Sequence, residues 1–213
     1  MDPHTAFAPP PQYAAPSWPW AVYCNADPYW GTPLTDDRGR VDLTEEQRLN
    51  VRALYDGEAE YVDAAVGALW SALERHGDAQ HAYLVFTSDH GEEFWEHGAF
   101  GHGHSLYDEL IRVPLILRGP AIRKARVAGP VSVIDLVPTL AALAGAPPDP
   151  AWQGVSLARG LRGEQPLAAS PAWARGTNAF AHDGPLEMVA LGRWKLIRNA
   201  RTGAYALYDL DAD

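Results

Sequence analysis

Cysteine is almost absent from the chain, since Cys24 is the only one among 213 residues. A single cysteine excludes an intrachain disulfide and a cysteine-rich zinc site, and we expect Cys24 to be a passive, partly buried thiol. Long apolar runs are absent as well, because no stretch approaches the roughly eighteen consecutive apolar residues of a membrane-spanning helix. The first twenty residues also lack the basic and apolar regions of a secretory signal.

Basic residues are outnumbered, with 17 Lys and Arg against 27 Asp and Glu and a formal net charge of −10. Such a surface repels a phosphate backbone, which argues against nucleic acid as a partner. An anionic substrate would therefore need a local pocket that carries cations or a metal. Hydrophobic residues make up 47% of the chain, enough for one large globular domain or one domain with a small appendage.

The pattern along the chain is typical of an α/β protein. Residues 1–43 are rich in proline and aromatics and predict an extended, packed loop. Apolar residues at helical spacing predict a long helix over 44–76, with Thr44 and Gln47 as a capping box and Gly77 as its stop. Short apolar runs predict strands at 81–87, 113–117 and 131–134. A second helix is predicted from Asp135 to a stop at Gly145, which completes an α/β sheet layered by helices.

A different pattern follows the proline-rich break at 147–150. Short alternating runs at 186–191, 194–198 and 205–209 are joined by short turns and predict an antiparallel meander. We therefore expect two parts, an α/β domain over 1–146 and a small C-terminal antiparallel β subdomain over 147–213.

Four of the eight histidines lie within fifteen residues, in the stretch LVFTSDHGEEFWEHGAFGHGH. Loops at the carboxyl ends of strands form the ligand crevice of open α/β sheets, so the first strand delivers Asp89 and His90 to that edge. A carboxylate and an imidazole suit a divalent cation of intermediate hardness, and Gly91 permits a sharp turn. Further ligands would come from His102, from His104 or from residues outside this sequence. A simple hydrogen-bonded turn is the alternative.

The other polar residues of this stretch have plainer interpretations. His97 is expected to be an exposed loop imidazole. The glutamates at 92, 93 and 96 could be additional ligands, but their spacing favours a solvated face.

Several segments resemble one known family. SDHGEEFWEHGAFGHGHSLYDELIRVPLILRGP resembles the second metal-binding segment of sulfatases and related hydrolases of the alkaline phosphatase superfamily. MDPHTAFAPPPQY is similar to the family's Asp-Pro-His-Thr-Pro-Tyr-x-Pro-Pro loop, with Ala6 and Phe7 in place of Pro and Tyr. YDGEAEYVDAAVGALWSAL resembles the family's long helix, VSVIDLVPTLAALAG its Asp-x-x-Pro-Thr-Leu helix, and KLIRN with YALYDLDAD its closing strands. The resemblance implies an alkaline phosphatase-like fold, with a mixed, mostly parallel sheet flanked by helices.

The resemblance also implies a metal site. Asp89 and His90 would coordinate a divalent cation, expected to be Ca²⁺ in a formylglycine sulfatase and Mn²⁺, Zn²⁺ or Mg²⁺ in a phosphoryl-type relative. His4 would lie beside the nucleophile, where it donates to a sulfate oxygen or takes a proton. Arg112 is expected to form an ion pair beside a strand.

One departure from the family concerns the substrate anion. In many sulfatases a lysine four residues before the Tyr of a Tyr-Glu step binds a substrate oxygen. Gly103 occupies that register here, flanked by two histidines. His104 is therefore the first candidate for the anion-binding or ligand role, and His102 is the second.

A second departure concerns the nucleophile. Sulfatases use a formylglycine made from the Cys or Ser of a Cys/Ser-x-Pro-x-Arg motif, and the 213 residues contain no such motif. Cys24 lies in YCNADPY, without the Pro and Arg. The family's first metal-binding segment, a strand that ends in acidic residues, is missing too. The resemblance thus implies the C-terminal portion of a hydrolase of sulfate esters, inactive alone, whose N-terminal half could be a separate partner.

Two alternatives stay open. Phosphodiester or phosphonate monoester hydrolases and phosphoglycerol or phosphoethanolamine transferases share the Asp-His pair, so the substrate could be a sulfate-ester or phosphate-ester small molecule or glycan. The chain could instead be the non-catalytic product of a truncated gene. Family members are often periplasmic or secreted, and the sequence itself leaves the compartment open.

Overall fold

The structure is a computed structural model that describes residues 7, 9–13, 43–127, 129–167, 170–176 and 184–212. The helices are α1 (Glu45–His76), α2 (Asp108–Ile111), α3 (Leu136–Leu143) and α4 (Ala158–Leu161), with a 3₁₀ helix at Val133–Asp135. The strands are β1 (Leu84–Thr87), β2 (Glu93–Phe94), β3 (Phe100–Gly101), β4 (Leu115–Arg118), β5 (Ala172–Gly176), β6 (Leu186–Leu191), β7 (Trp194–Asn199) and β8 (Tyr205–Asp209).

These residues form two compact units that alternate along the sequence. The first contains the described residues up to Ala82 together with Glu92–His102. The second contains Tyr83–Gly91 and the described residues from Gly103 onward. The predicted division after residue 146 stays a prediction.

Helix α1 of the first unit has the ends that its sequence predicts. The Gln47 backbone N–H donates to Thr44 Oγ1 at 3.3 Å, and the Thr44 N–H donates to Gln47 Oε1 at 2.8 Å, which completes the capping box. Gly77 ends the helix with a φ of 80°, a conformation that glycine adopts without a steric penalty. The long helix is therefore confirmed. No helix among the described residues is long and apolar enough to cross a bilayer.

Aromatic rings join α1 to the rest of the first unit. The Phe7 ring lies 5.3 Å from the Tyr55 ring and 6.1 Å from the Phe94 ring, measured between centroids. Close to these rings, a β-carbon on Gly57 would collide with the Tyr13 carbonyl oxygen. The absent side chain therefore lets residues 9–13 lie directly on the helix.

In the second unit, β1 pairs with β4 in antiparallel register, with Val85 opposite Leu117. All strand pairs among the described residues are antiparallel. The mixed α/β class with an antiparallel C-terminal sheet is therefore confirmed, whereas a mostly parallel sheet stays a prediction. Strand β1 is shorter than the predicted 81–87, and its four residues are only partly buried.

The third predicted strand, at 131–134, is wrong. Val133–Asp135 forms a 3₁₀ helix that leads directly into α3. The turn brings the buried Asp135 carboxylate to the Val155 backbone N–H, which donates to Oδ1 at 2.8 Å. This contact, twenty residues away in sequence, outweighs the strand preference of the β-branched residues.

The C-terminal sheet has the order β5-β6-β7-β8, and it confirms the predicted meander. Strand β5 was not predicted, although its alternation of small inward alanines with outward Trp173 and Arg175 is a two-residue repeat. Met188 and Ala190 on the inner face pack with Leu106 to form the core of this part.

Candidate metal and anion site

The turn after β1 places Asp89 and His90 at the end of a strand. The Ser88 hydroxyl donates to the His90 carbonyl oxygen at 2.7 Å, and the His90 backbone N–H donates to Asp89 Oδ1 at 3.0 Å. Gly91 then donates its N–H to the Leu110 carbonyl oxygen at 2.8 Å. The turn is thus held by short local hydrogen bonds and by α2.

Gly91 has a steric role in addition to this bond. A β-carbon at this position would collide with the Glu109 carbonyl oxygen of α2. The glycine therefore permits a close approach of the two backbones, which fixes the direction of the preceding Asp89-His90 pair.

The two candidate ligand atoms face each other. His90 Nδ1 lies 2.9 Å from the Gly91 carbonyl oxygen, and because a carbonyl only accepts, Nδ1 carries the proton. In the neutral ring the lone pair is then on Nε2, which lies 3.8 Å from Asp89 Oδ2. With metal–ligand bonds of about 2.3 Å, two atoms this far apart subtend about 110° at a shared cation.

The charge of Asp89 also suits a cation. Burial alone would raise the pKa of the Asp89 carboxyl, but the His90 ring, backbone N–H groups and the Ser88 hydroxyl together lower that pKa below its ordinary value. The side chain is 79% exposed and the His90 side chain 30% exposed. An oxygen and a nitrogen of this kind fit a divalent cation of intermediate hardness, which needs at least one more ligand.

A separate polar pair lies in the hairpin of the first unit, formed by β2 and β3. His102 Nδ1 lies 3.2 Å from Glu92 Oε1 and 3.3 Å from Glu92 Oε2. The two side chains are only 12% and 6% exposed, respectively. His102 is thus held by a carboxylate that sequence reasoning did not assign to it.

The predicted solvated face of glutamates is wrong for two of its three members. The Glu92 side chain is 6% exposed. Glu93 is fully buried, and its Oε1 accepts the backbone N–H groups of His97 and Ala99 at 3.1 and 2.8 Å. Glu96 alone is exposed, and it pairs with Arg52 at 2.9 Å. The turn of the hairpin directs its backbone N–H groups inward, so a buried acceptor satisfies them. Sequence spacing carries no signal for this arrangement.

The remaining residues that the sequence singles out differ in burial and in their partners. His97 is exposed, as expected. His104 is half-buried. Arg112 pairs with Asp108 of α2 at 3.6 Å, which confirms its role in an ion pair. His4 and Cys24 lie outside the described residues. The assignment of Asp89, His90, His4, His104 and His102 to the site stays a prediction.

Comparison with known proteins identifies the family. Residues 1–146 match the family model described as Sulfatase. Arylsulfatase K of Danio rerio is 31% identical over 196 residues, which cover 89% of this chain and 36% of the relative. The chain belongs to the sulfatase family. It spans about a third of the length of the curated relatives it matches.

Solved structures agree with this membership. The phosphonate monoester hydrolase from Silicibacter pomeroyi has a TM-score of 0.71 and 25% identity, with 81% of this chain and 37% of that chain covered. A 2-O GAG sulfatase has the same TM-score of 0.71 and 27% identity, with 80% and 38% covered. Both neighbours are hydrolases of ester substrates by name, one of phosphonate and one of sulfate.

Proposed function

We propose that this chain provides metal-binding and anion-binding residues of a sulfatase-like hydrolase that cleaves sulfate esters. The observation that carries the proposal is the 3.8 Å approach of Asp89 Oδ2 and His90 Nε2 at the end of β1. A hydrogen-bonded turn explains the backbone contacts there, but it does not require the carboxylate and the imidazole nitrogen to converge.

The residues of this chain have distinct proposed roles. Asp89 and His90 hold the divalent cation, which would stabilise negative charge on the oxygens of the sulfuryl group. By the resemblance, His4 would lie beside the nucleophile and would donate to a sulfate oxygen or take a proton. His104, with His102 as second candidate, binds the substrate anion in place of the family's lysine. We expect Ca²⁺ for sulfate chemistry and Mn²⁺, Zn²⁺ or Mg²⁺ for phosphoryl chemistry.

We further infer that this chain needs another polypeptide segment for activity. It spans about a third of its relatives' length, and its 213 residues contain no Cys/Ser-x-Pro-x-Arg motif. Apolar side chains on β4 and α3 support the inference, since Ile116 is 58% exposed and Val137 is 57% exposed. Strands of that segment would extend the β1–β4 pair into the mostly parallel sheet of an α/β domain that ends near residue 146.

A metal titration tests the site in the 213-residue chain. Calorimetry with Ca²⁺ and with Mn²⁺ should show a single site, and Asp89→Asn should weaken binding at least tenfold because the amide loses the negative charge. Asp63→Asn is the matched control, since Asp63 is an exposed carboxylate on α1. Equal affinity in the two variants would exclude Asp89 as a ligand.

An activity assay tests the reaction. The chain alone should not hydrolyse 4-nitrophenyl sulfate, and it should do so after addition of a sulfatase N-terminal segment that carries a modified Cys/Ser-x-Pro-x-Arg motif. Activity of the chain alone would refute the proposed need for a second segment. Lack of activity with every such segment, together with metal-free protein, would favour a non-catalytic product of a truncated gene.

A phosphonate or phosphate ester is the second candidate substrate, favoured by the similarity to the phosphonate monoester hydrolase. A phosphonate monoester or phosphodiester offered in the same assay distinguishes the two, since the preferred class should react at least tenfold faster. The similarity to a 2-O GAG sulfatase favours a sulfated glycan among the sulfate esters.

A further inference from the structure

Glu92 has no role in the site as described so far, although its partner His102 is the second candidate for binding the substrate anion. The two residues are ten apart in sequence, and the β2–β3 hairpin brings them together. Both oxygens of the Glu92 carboxylate lie within 3.3 Å of His102 Nδ1. The single N–H of Nδ1 is thus shared between the two oxygens, which directs this ring nitrogen at the carboxylate.

Burial strengthens this contact. The Glu92 and His102 side chains are 6% and 12% exposed, and His102 Nε2 is itself buried. Charges and hydrogen bonds interact more strongly in such surroundings than in water. Tyr55 of α1 also responds to the carboxylate, because burial raises the pKa of its phenol and the negative charge of Glu92 raises it further.

The contact also determines which ring nitrogen carries a proton. An ionised carboxylate only accepts hydrogen bonds, so Nδ1 of His102 must be the donor. Nε2 is then the nitrogen that faces away from Glu92. Carboxylates behind functional imidazoles fix the tautomer and the ring orientation in this way.

We propose that Glu92 is a positioning residue for His102: its carboxylate holds the Nδ1–H, so that Nε2 donates to the substrate anion when the ring is protonated on both nitrogens. The inference rests on the proposed function, because it deepens the role given there to His102. It predicts that this chain replaces the family's single lysine with an imidazole that a buried carboxylate orients.

The first test is the tautomer of His102 in the 213-residue chain. Long-range ¹H–¹⁵N NMR, with the His102 signals assigned from a His102→Asn variant, should show the proton on Nδ1. A proton on Nε2 with an unprotonated Nδ1 would overturn the inference. This readout does not depend on sulfate binding or on hydrolysis.

The second test is the affinity for inorganic sulfate in the presence of Ca²⁺. Glu92→Gln keeps the size but removes the charge, and it should weaken binding about tenfold to a hundredfold, the range found when a partner behind a metal-ligating imidazole is removed. Glu92→Asp keeps the charge and should restore part of the affinity. Glu96→Gln is the matched control, since Glu96 pairs with Arg52 and should leave the affinity unchanged.

The outcomes separate the two proposals. Sulfate binding that is equal in wild type and Glu92→Gln would overturn the role of Glu92 while the proposed function stands. A wild-type chain with the proton on Nδ1 that binds no sulfate would overturn the proposed anion site, and with it the role of Glu92. Circular dichroism of each variant shows whether the fold is retained, and the wild-type tautomer of His102 decides the inference if Glu92→Gln unfolds.

Discussion

Lys195 on β7 binds Asp108 at the start of α2, with 2.6 Å between Nζ and Oδ1. The Lys195 side chain is 3% exposed, whereas that of Asp108 is 33% exposed. The pair ties the C-terminal sheet to the short helix that follows the histidine-rich stretch. It is also unequal, because only the cation is fully removed from water.

This difference in burial predicts which of two substitutions lowers the free energy of unfolding more. Asp108→Asn should lower the free energy of unfolding by about 3 kcal/mol, because it leaves the Lys195 ammonium buried without a carboxylate. Lys195→Met should cost less, since it removes the buried charge and leaves a partly exposed aspartate. Urea denaturation of both variants measures the difference. A larger loss for Lys195→Met would show that the pair contributes more than the burial of its cation costs.

Two glycines of α1 should respond in opposite ways to alanine. Gly57→Ala forces a β-carbon against the Tyr13 carbonyl oxygen, and the resulting overpacking should cost about 1–3 kcal/mol. Gly67 has open space around it, so Gly67→Ala should stabilise the helix by about 0.5–1 kcal/mol. Thermal unfolding of the two variants provides the comparison. A stabilised Gly57→Ala would mean that residues 9–13 do not lie on the helix.

Thr139 in α3 should depend on its hydroxyl. It is fully buried, and its Oγ1 accepts the Leu157 backbone N–H at 2.9 Å. Thr139→Val keeps the shape but leaves that N–H without its acceptor, which should cost about 1–3 kcal/mol. Thr139→Ser retains the hydroxyl and should recover the hydrogen bond at the smaller cost of one methyl group. Denaturant unfolding should thus show that Thr139→Ser is more stable than Thr139→Val. The reverse order would contradict the role of the hydroxyl.

Tyr55 should make stability fall at alkaline pH. Burial is the largest cause that raises the pKa of its phenol above the ordinary value of 10.0, and the charge of Glu92 is the next. The unfolded chain therefore releases the proton first, so the stability due to Tyr55 is present below pH 10 and is lost as pH rises through the folded-state pKa. Tyr55→Phe should show a smaller loss of stability than wild type as the pH rises above the ordinary phenol pKa of 10.0 in unfolding experiments. Equal losses of stability in the two proteins would show that folding does not raise the pKa of the Tyr55 phenol.

Local rules explain what could be predicted from the sequence. The capping box of Thr44 and Gln47, the stop at Gly77 and the alternating strands β6 to β8 depend on neighbours a few residues away, and all of them are present in the structure. The segment at 131–134 shows where such rules fail. Its β-branched residues favour a strand, but the distant Val155 N–H draws Asp135 into a helical turn.

The candidate site shows the same division. The Ser-Asp-His-Gly motif predicts Asp89 and His90 at the end of a strand, and the structure places both directly after β1. Their role as metal ligands stays a prediction. Glu92 and Glu93 were misjudged because carboxylates are usually solvated, and only their partners in the folded hairpin make burial favourable.

The sequence by itself therefore determined the long helix, the C-terminal meander and the family, whereas the residues that bind a cation stay a prediction. The tertiary structure decided which acidic groups are buried, which nitrogen of His102 faces Glu92 and how closely Gly91 approaches α2. The physical reason is the range of the interactions. Helix caps and strand alternation are settled by adjacent residues, whereas burial and charge pairing depend on groups that only folding brings together.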